Sequence, residues 1–165
     1  MVDTNKIPGQ TVGRNQTSIL VEVPTTAATY TANDAVAGAA DIPLEFANAA
    51  VDGNNTGVII SAVMVDDNKQ GFTFDLILYK SNPAATVDQA IFSPADAELR
   101  NIIGVISFNT WTDFEDNSVS FVGNIGMGFD LDSPNTTIYG VLVTRGAYAA
   151  AGTDDISLRL NILQN

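Results

Sequence analysis

The clearest alternation of apolar and polar positions runs from Phe72 to Tyr79. Phe72, Phe74, Leu76 and Leu78 fall on one face, and Thr73, Asp75, Ile77 and Tyr79 on the other. A period of two is the mark of a β-strand. The same period recurs in Ile156, Leu158, Leu160 and Ile162, which alternate with Ser157, Arg159 and Asn161. Tyr139, Val141 and Val143 alternate with Gly140, Leu142 and Thr144, and Ile19, Val21 and Val23 flank Leu20 and Glu22. Further β-rich runs lie at 42–47, 57–65, 102–108, 117–122 and 125–131. Gly, Asn, Asp, Ser and Pro separate them, so the pattern predicts about eight or nine strands.

Helical signals are few. In "SPADAELRN", 93–101, Ser93 is a candidate N-cap, Pro94 suits the first helical position, and Asp96 and Glu98 suit the first turn. The segment supports one short helix. Two connections, 24–41 and 81–100, are longer than a hairpin turn. Long crossings of this kind fit a jelly roll or Greek key better than a meander. The expected fold is therefore all-β, an antiparallel β-sandwich of jelly-roll or Greek-key type. Residues 1–17 are polar, and their branched apolar side chains Val2, Ile7 and Val12 are spaced five apart, which matches neither a helix face nor a strand face. They read as an extended N-terminal arm that meets water, a neighbouring subunit or a larger partner, with 18–165 as a single domain.

Composition narrows what such a fold does. The chain has 165 residues, 45% of them hydrophobic, which is enough for one domain with a core. No apolar run reaches the roughly 20 residues of a spanning helix, and the first residues lack the apolar stretch of a signal peptide. Net charge is −12, and the 7 Lys and Arg are scattered singly. Nucleic acid and anionic lipid are bound by clustered Lys and Arg, so neither is an expected partner. Cys and His are both absent. That removes thiolate nucleophiles, Cys/His zinc sites and the Ser-His-Asp triad, and leaves carboxylates as the main route to catalysis.

"VDDNKQG", 65–71, puts Asp66, Asp67 and Asn68 between two strand-like runs. An EF-hand-type calcium loop needs a closing Glu, and none follows until Glu98. The segment reads as a hairpin tip built from turn-forming residues. "FDLDSPNTT" carries Asp130 and Asp132, which could share a face and hold a cation, but Ser133, Pro134 and Asn135 signal a turn. "TDFEDN" holds Asp113, Glu115 and Asp116 beside Trp111. A glycosidase pair must straddle its substrate from separate elements, so these acids read as a solvated edge. Trp111 is either a sugar-stacking platform or a core anchor, the latter being commoner for a single Trp. Gly126 and Gly128 in "NIGMGFD" lack the third Gly and the helix of a nucleotide loop, and mark a bend or a close backbone approach. The residues give no catalytic, cofactor or metal site, and the expectation is a protein that is not an enzyme.

The ordered segments carry a resemblance. "ATYTANDAVAG", 28–38, sets Tyr30, Asp34 and Val36 in a spacing that resembles a motif near the start of many small proteins encoded by tailed bacteriophages. "GVIISAVMVDDN", "FDLILYKSNP", "DQAIFSPADAELRNIIGVISF", "TIYGVLVTRGAY" and a closing "ILQN" follow in the same order. The resemblance covers about residues 20–165. Where that pattern commonly has Gly before Asp, this chain has Asn33, which also tolerates positive φ. The resemblance implies a virion structural protein of the head decoration (cement) type. Such a protein sits on the outer capsid surface, binds the major capsid protein, forms a homo-oligomer, with a trimer favoured, and needs no cofactor. The alternative is a carbohydrate- or receptor-binding β-sandwich of a phage head fibre or tail, motivated by Trp111, the nearby acids, and Tyr148 in a loop that reads as exposed.

Overall fold

The computed structural model describes residues 15–165. The fold is nearly all-β, with antiparallel sheets and one short helix. Its elements are β1 (Asn15–Val23), β2 (Thr29–Tyr30), β3 (Ala35–Val36), β4 (Leu44–Phe46), β5 (Thr56–Asp66), β6 (Phe74–Tyr79), α1 (Asp96–Leu99), β7 (Ile102–Phe108), β8 (Trp111–Asp113), β9 (Ser118–Val122), β10 (Met127–Asp130), β11 (Ile138–Thr144), β12 (Tyr148–Ala149) and β13 (Ile156–Gln164).

The first sheet runs β1-β13-β5-β9-β8, and β10 continues the β9 edge along the other half of β5. The second runs β3-β11-β6-β7, with β4 beside β3 on the same edge of β11. β2 and β12 form a separate small pair. Side chains from both large sheets meet in one core. Ile59, Ala62 and Met64 of β5 and Leu158, Leu160 and Ile162 of β13 join Phe74, Leu76 and Leu78 of β6, Leu142 of β11 and Phe108 of β7. The alternation along β13 thus sends Ile156, Leu158, Leu160 and Ile162 inward, as its period requires.

Several expectations need correction. Among the described residues the strand count is thirteen and not eight or nine. Nine strands fall on the runs recognised in the sequence. The other four, β2, β3, β8 and β12, have only two or three residues each, too few to show a period. The arm boundary also moves: β1 begins at Asn15, and Asn15, Gln16 and Thr17 pair with Gln164, Leu163 and Ile162. The remainder of the expected arm, 1–14, lies outside the described residues.

The segment after β5 is not a hairpin tip. β5 pairs with β13, β9 and β10, whereas β6 pairs with β11 and β7. The chain at 67–73 therefore crosses from one sheet to the other. Both strands are long and alternating, and that pattern is the same whether the next strand lies beside or opposite.

β6 and β11 are buried on both faces. Besides the shared core, Ile77, Tyr79, Val141 and Val143 pack with Ala35 in a second cluster, against Phe92 and Ile102. The long connection 80–101 covers this outer face, so the second sheet has no solvated side along these strands. The helix within it starts later than expected: Ala95, not Ser93, is the N-cap, and the Glu98 carboxylate accepts the Ala95 N–H at 2.9 Å. The same carboxylate accepts the Ala84 N–H at 2.6 Å and so fastens the connection to itself.

Candidate functional site

Three carboxylates organise loops, and two of them, Asp66 and Asp34, stand in segments singled out from the sequence. Asp66, the last residue of β5, is fully buried. Its carboxylate accepts the backbone N–H groups of Asn68 (3.0 Å), Gln70 (2.8 Å) and Gly71 (3.2 Å). The Tyr148 hydroxyl donates to it at 3.4 Å. This is why "VDDNKQG" can leave one sheet and enter the other: the amides that a strand would pair with a neighbour are taken by one side chain. Lys69, at φ 50°, sends its ammonium to the Phe114 carbonyl at 2.6 Å and ties this crossing to the β8–β9 hairpin.

Asp34 closes the turn in "TYTANDAV". It accepts the Thr31 N–H at 2.6 Å and the Thr31 hydroxyl at 3.0 Å, and Asn33 before it sits at φ 76°. The expected positive φ at Asn33 is therefore present. Tyr30 is fully buried. It packs against Tyr148 with ring centroids 6.2 Å apart, and Tyr148 packs edge-on to Phe74 at 5.2 Å. Tyr148 is thus buried, contrary to its reading as an exposed loop residue. Its short strand β12 pairs with β2, a contact between segments more than a hundred residues apart that no local pattern announces. Burial pushes the Tyr148 phenol well above its ordinary value, and the neighbouring Asp66 and Asp155 carboxylates add to the rise.

Asp88 was not singled out from the sequence, yet it joins the two long connections. Its carboxylate accepts the Ala37 and Gly38 N–H groups, each at 3.0 Å, and the hydroxyls of Thr26 at 2.7 Å and Tyr30 at 3.2 Å. Backbone bonds reinforce the join: Ala35 N–H to the Ala90 carbonyl at 2.9 Å, Gln89 N–H to the Ala35 carbonyl at 3.1 Å, and Phe92 N–H to the Asn33 carbonyl at 2.9 Å. Gly38 lies at φ 62°, and a Cβ there would come within 2.8 Å of the Pro24 carbonyl oxygen, so the chain passes Pro24 only as glycine. The signal for Asp88 lay in its donors, which are contributed by residues 50 to 62 positions upstream.

Burial raises the Asp88 carboxyl, but the Ala37 amide, the Thr26 hydroxyl, the Gln89 amide and the Tyr30 hydroxyl together outweigh it and hold its pKa below the ordinary carboxylate value. A depressed folded-state value means that Asp88 stabilises the fold above the unfolded carboxylate pKa of about 3.9. That contribution disappears as pH falls through the lower, folded value. Asp88→Asn is therefore expected to melt below the wild type at neutral pH, with the gap narrowing under acid. Paired thermal melts of the two proteins across the acid range check this, and a gap that widens as pH falls contradicts it.

The remaining candidates disperse. Asp130 and Asp132 are exposed, and Asp132 makes a 3.5 Å ion pair with Lys80 at the surface, a contact worth little. The Asn135 N–H donates to the Asp132 carbonyl at 2.9 Å, so the expected turn follows β10. Asp113, Glu115 and Asp116 lie exposed at the β8–β9 hairpin. Trp111 is half-buried; its indole N–H donates to the Phe72 carbonyl at 2.9 Å, and its ring meets Phe74 edge-on at 6.4 Å. It serves as an anchor for the hairpin. Gly126 turns the chain at φ 65°, whereas nothing lies within 4 Å of a Cβ at Gly128. Among the described residues no group of three or more acids is placed to hold a metal ion. Likewise, no helix there is long and apolar enough to cross a membrane.

No protein-family model matches the chain, and no curated protein matches it in sequence.

Proposed function

We propose that the protein is a non-enzymatic virion component, a capsid decoration or cement protein that binds the major capsid protein from outside and stabilises the shell. In this reading the two sheets form a jelly-roll or Greek-key sandwich, and the protein acts as a homo-oligomer on the outer capsid surface.

One observation carries the reading: the separate segments that bear the phage-type resemblance are bonded to one another. Arg145 of "TIYGVLVTRGAY" donates through Nε to Asp75 of "FDLILYKSNP" at 2.7 Å and through a terminal nitrogen to Asn33 of "ATYTANDAVAG" at 2.6 Å. The Asn33 N–H donates to the Thr144 carbonyl at 2.7 Å, and the Thr144 N–H to the Asp34 carbonyl at 3.1 Å. Asp88 of "DQAIF" holds Tyr30, Ala37 and Gly38 of the same motif. Resemblances scattered over more than a hundred residues thus converge on one structural unit, which favours a shared fold over coincidence.

Mass spectrometry and electron microscopy of washed virions test the proposal. The chain is expected among the virion proteins, with density on the outer shell. Its absence from particles that carry the other structural proteins overturns the reading.

A further inference from the structure

The two sheets differ in how their outer faces are covered. Along β6 and β11 of the second sheet, the outward Ile77, Tyr79, Val141 and Val143 lie under the chain's own 80–101 connection and Ala35. The first sheet has an apolar outer face as well, yet it faces outward. Register places Leu20, Arg159, Val63 and Phe121 side by side across β1, β13, β5 and β9. The next row on that face is Glu22, Ser157, Val65 and Val119. Leu20 is 53% exposed and Phe121 64% exposed, and Val63, Val65 and Val119 are half-buried. Leu20, Val63, Val65, Val119, Ser157 and Arg159 line a shallow groove of about 120 Å³. A solvated sheet face is ordinarily polar, and a contiguous apolar one marks an interaction surface.

The charges on this face indicate its occupant. The chain carries −12 overall, but the two rows hold one charge of each sign, Arg159 and Glu22. These residues lie on neighbouring strands two positions apart in register, since Glu22 faces Ser157. Neither makes an ion pair among the described residues. A basic partner would meet Arg159 and an acidic one Glu22. A second copy turned by a two-fold axis supplies both complements at once, with Arg159 of each copy meeting Glu22 of the other across stacked Leu, Val and Phe side chains. Self-complementarity of this kind is what a two-fold interface requires.

We infer that the outer face of the first sheet pairs with the same face of a second copy of this chain. Four strands about 4.8 Å apart, each contributing about five residues, give a face on the order of 350 Å². A standard interface buries about 800 Å² per partner, so the pairing is expected to be weak and concentration-dependent. It produces even-numbered assemblies; a trimer would have to be built on another surface. The pairing does not depend on the virion role, since it concerns the isolated chain.

Sedimentation of the full-length chain over about a hundredfold range of concentration tests the inference. Wild type is expected to shift from monomer towards dimer across that range. Phe121→Asp, at an exposed position, should stay monomeric with an unchanged circular dichroism spectrum. Arg159→Glu alone should weaken dimerisation at least about tenfold, and the double variant Glu22→Arg with Arg159→Glu should restore it, because the exchange recreates the pair with its signs reversed. A wild type that stays monomeric throughout overturns the inference. So does self-association that survives Phe121→Asp, or a double variant no better than Arg159→Glu alone.

Discussion

Asp66→Ala is expected to lower the unfolding free energy by about 3 kcal/mol, and so the melting temperature by about 6–12 °C. The carboxylate it removes holds the N–H groups of Asn68, Gln70 and Gly71, and its own residue is fully buried. An amide left without an acceptor in a buried place costs about 1–3 kcal/mol. Asn68 and Gln70 are half-buried and Gly71 exposed, so water recovers part of that for all three. The Tyr148 hydroxyl loses its acceptor at the same time. Asp66→Asn keeps one carbonyl oxygen and is expected to lose roughly half as much. Tyr148→Phe, which removes two long bonds, one to Asp66 at 3.4 Å and one from the Asn68 amide at 3.5 Å, should cost about 1 kcal/mol or less. The order of the three variants in thermal and urea unfolding is the measurement. A melting temperature for Asp66→Ala within a degree or so of wild type would mean that the crossing at 67–73 is held by something other than this side chain.

Phe74→Ala is expected to cost more, about 3–5 kcal/mol, because it opens a cavity at the point where three parts of the chain meet. Phe74 is fully buried and begins β6 immediately after the crossing. Trp111 of the β8–β9 hairpin and Tyr148 of β12 both stand edge-on to its ring, at 72° and 74°. Each such aromatic pair contributes about 0.5–1.5 kcal/mol beyond simple burial. Phe74→Leu retains most of the volume and should lose about half as much. The chain has a single Trp, so its fluorescence reports on this cluster alone. Emission is expected to shift to the red in Phe74→Ala while the protein is still folded, as water reaches the indole. An unchanged emission maximum together with an unchanged midpoint of unfolding would show that the ring is not the keystone of this end of the core. With a total stability of about 5–15 kcal/mol for an ordinary domain, Phe74→Ala stands near the limit of what the fold tolerates.

Both variants act where the chain leaves one sheet for the other, which is also where sequence reading was least successful. Asp66 was recognised as a turn residue, and it is one, but the turn connects opposite sheets. A period of two states which side chains share a face; it is silent about which strand lies next to which. The same blindness hid the burial of Tyr148, whose partner strand is formed by Thr29 and Tyr30.

The sequence by itself determined nine of the thirteen described strands, the near absence of helix, the turn after Asp132 and the left-handed residue at Asn33. These follow from local causes: alternation, steric restriction and side chains that bond their own backbone, all of which act within a few residues. Only the tertiary structure decided the four short strands, the sheet change after β5 and the role of Asp88. It also decided that Ile77, Tyr79, Val141 and Val143 lie under chain whereas Leu20 and Phe121 do not. An outward apolar residue has the same local pattern whether a loop from elsewhere covers it or nothing does. Which of the two holds depends on where a connection is laid down by contacts such as Asp88 with Ala37 and Gly38, about fifty residues apart in the chain.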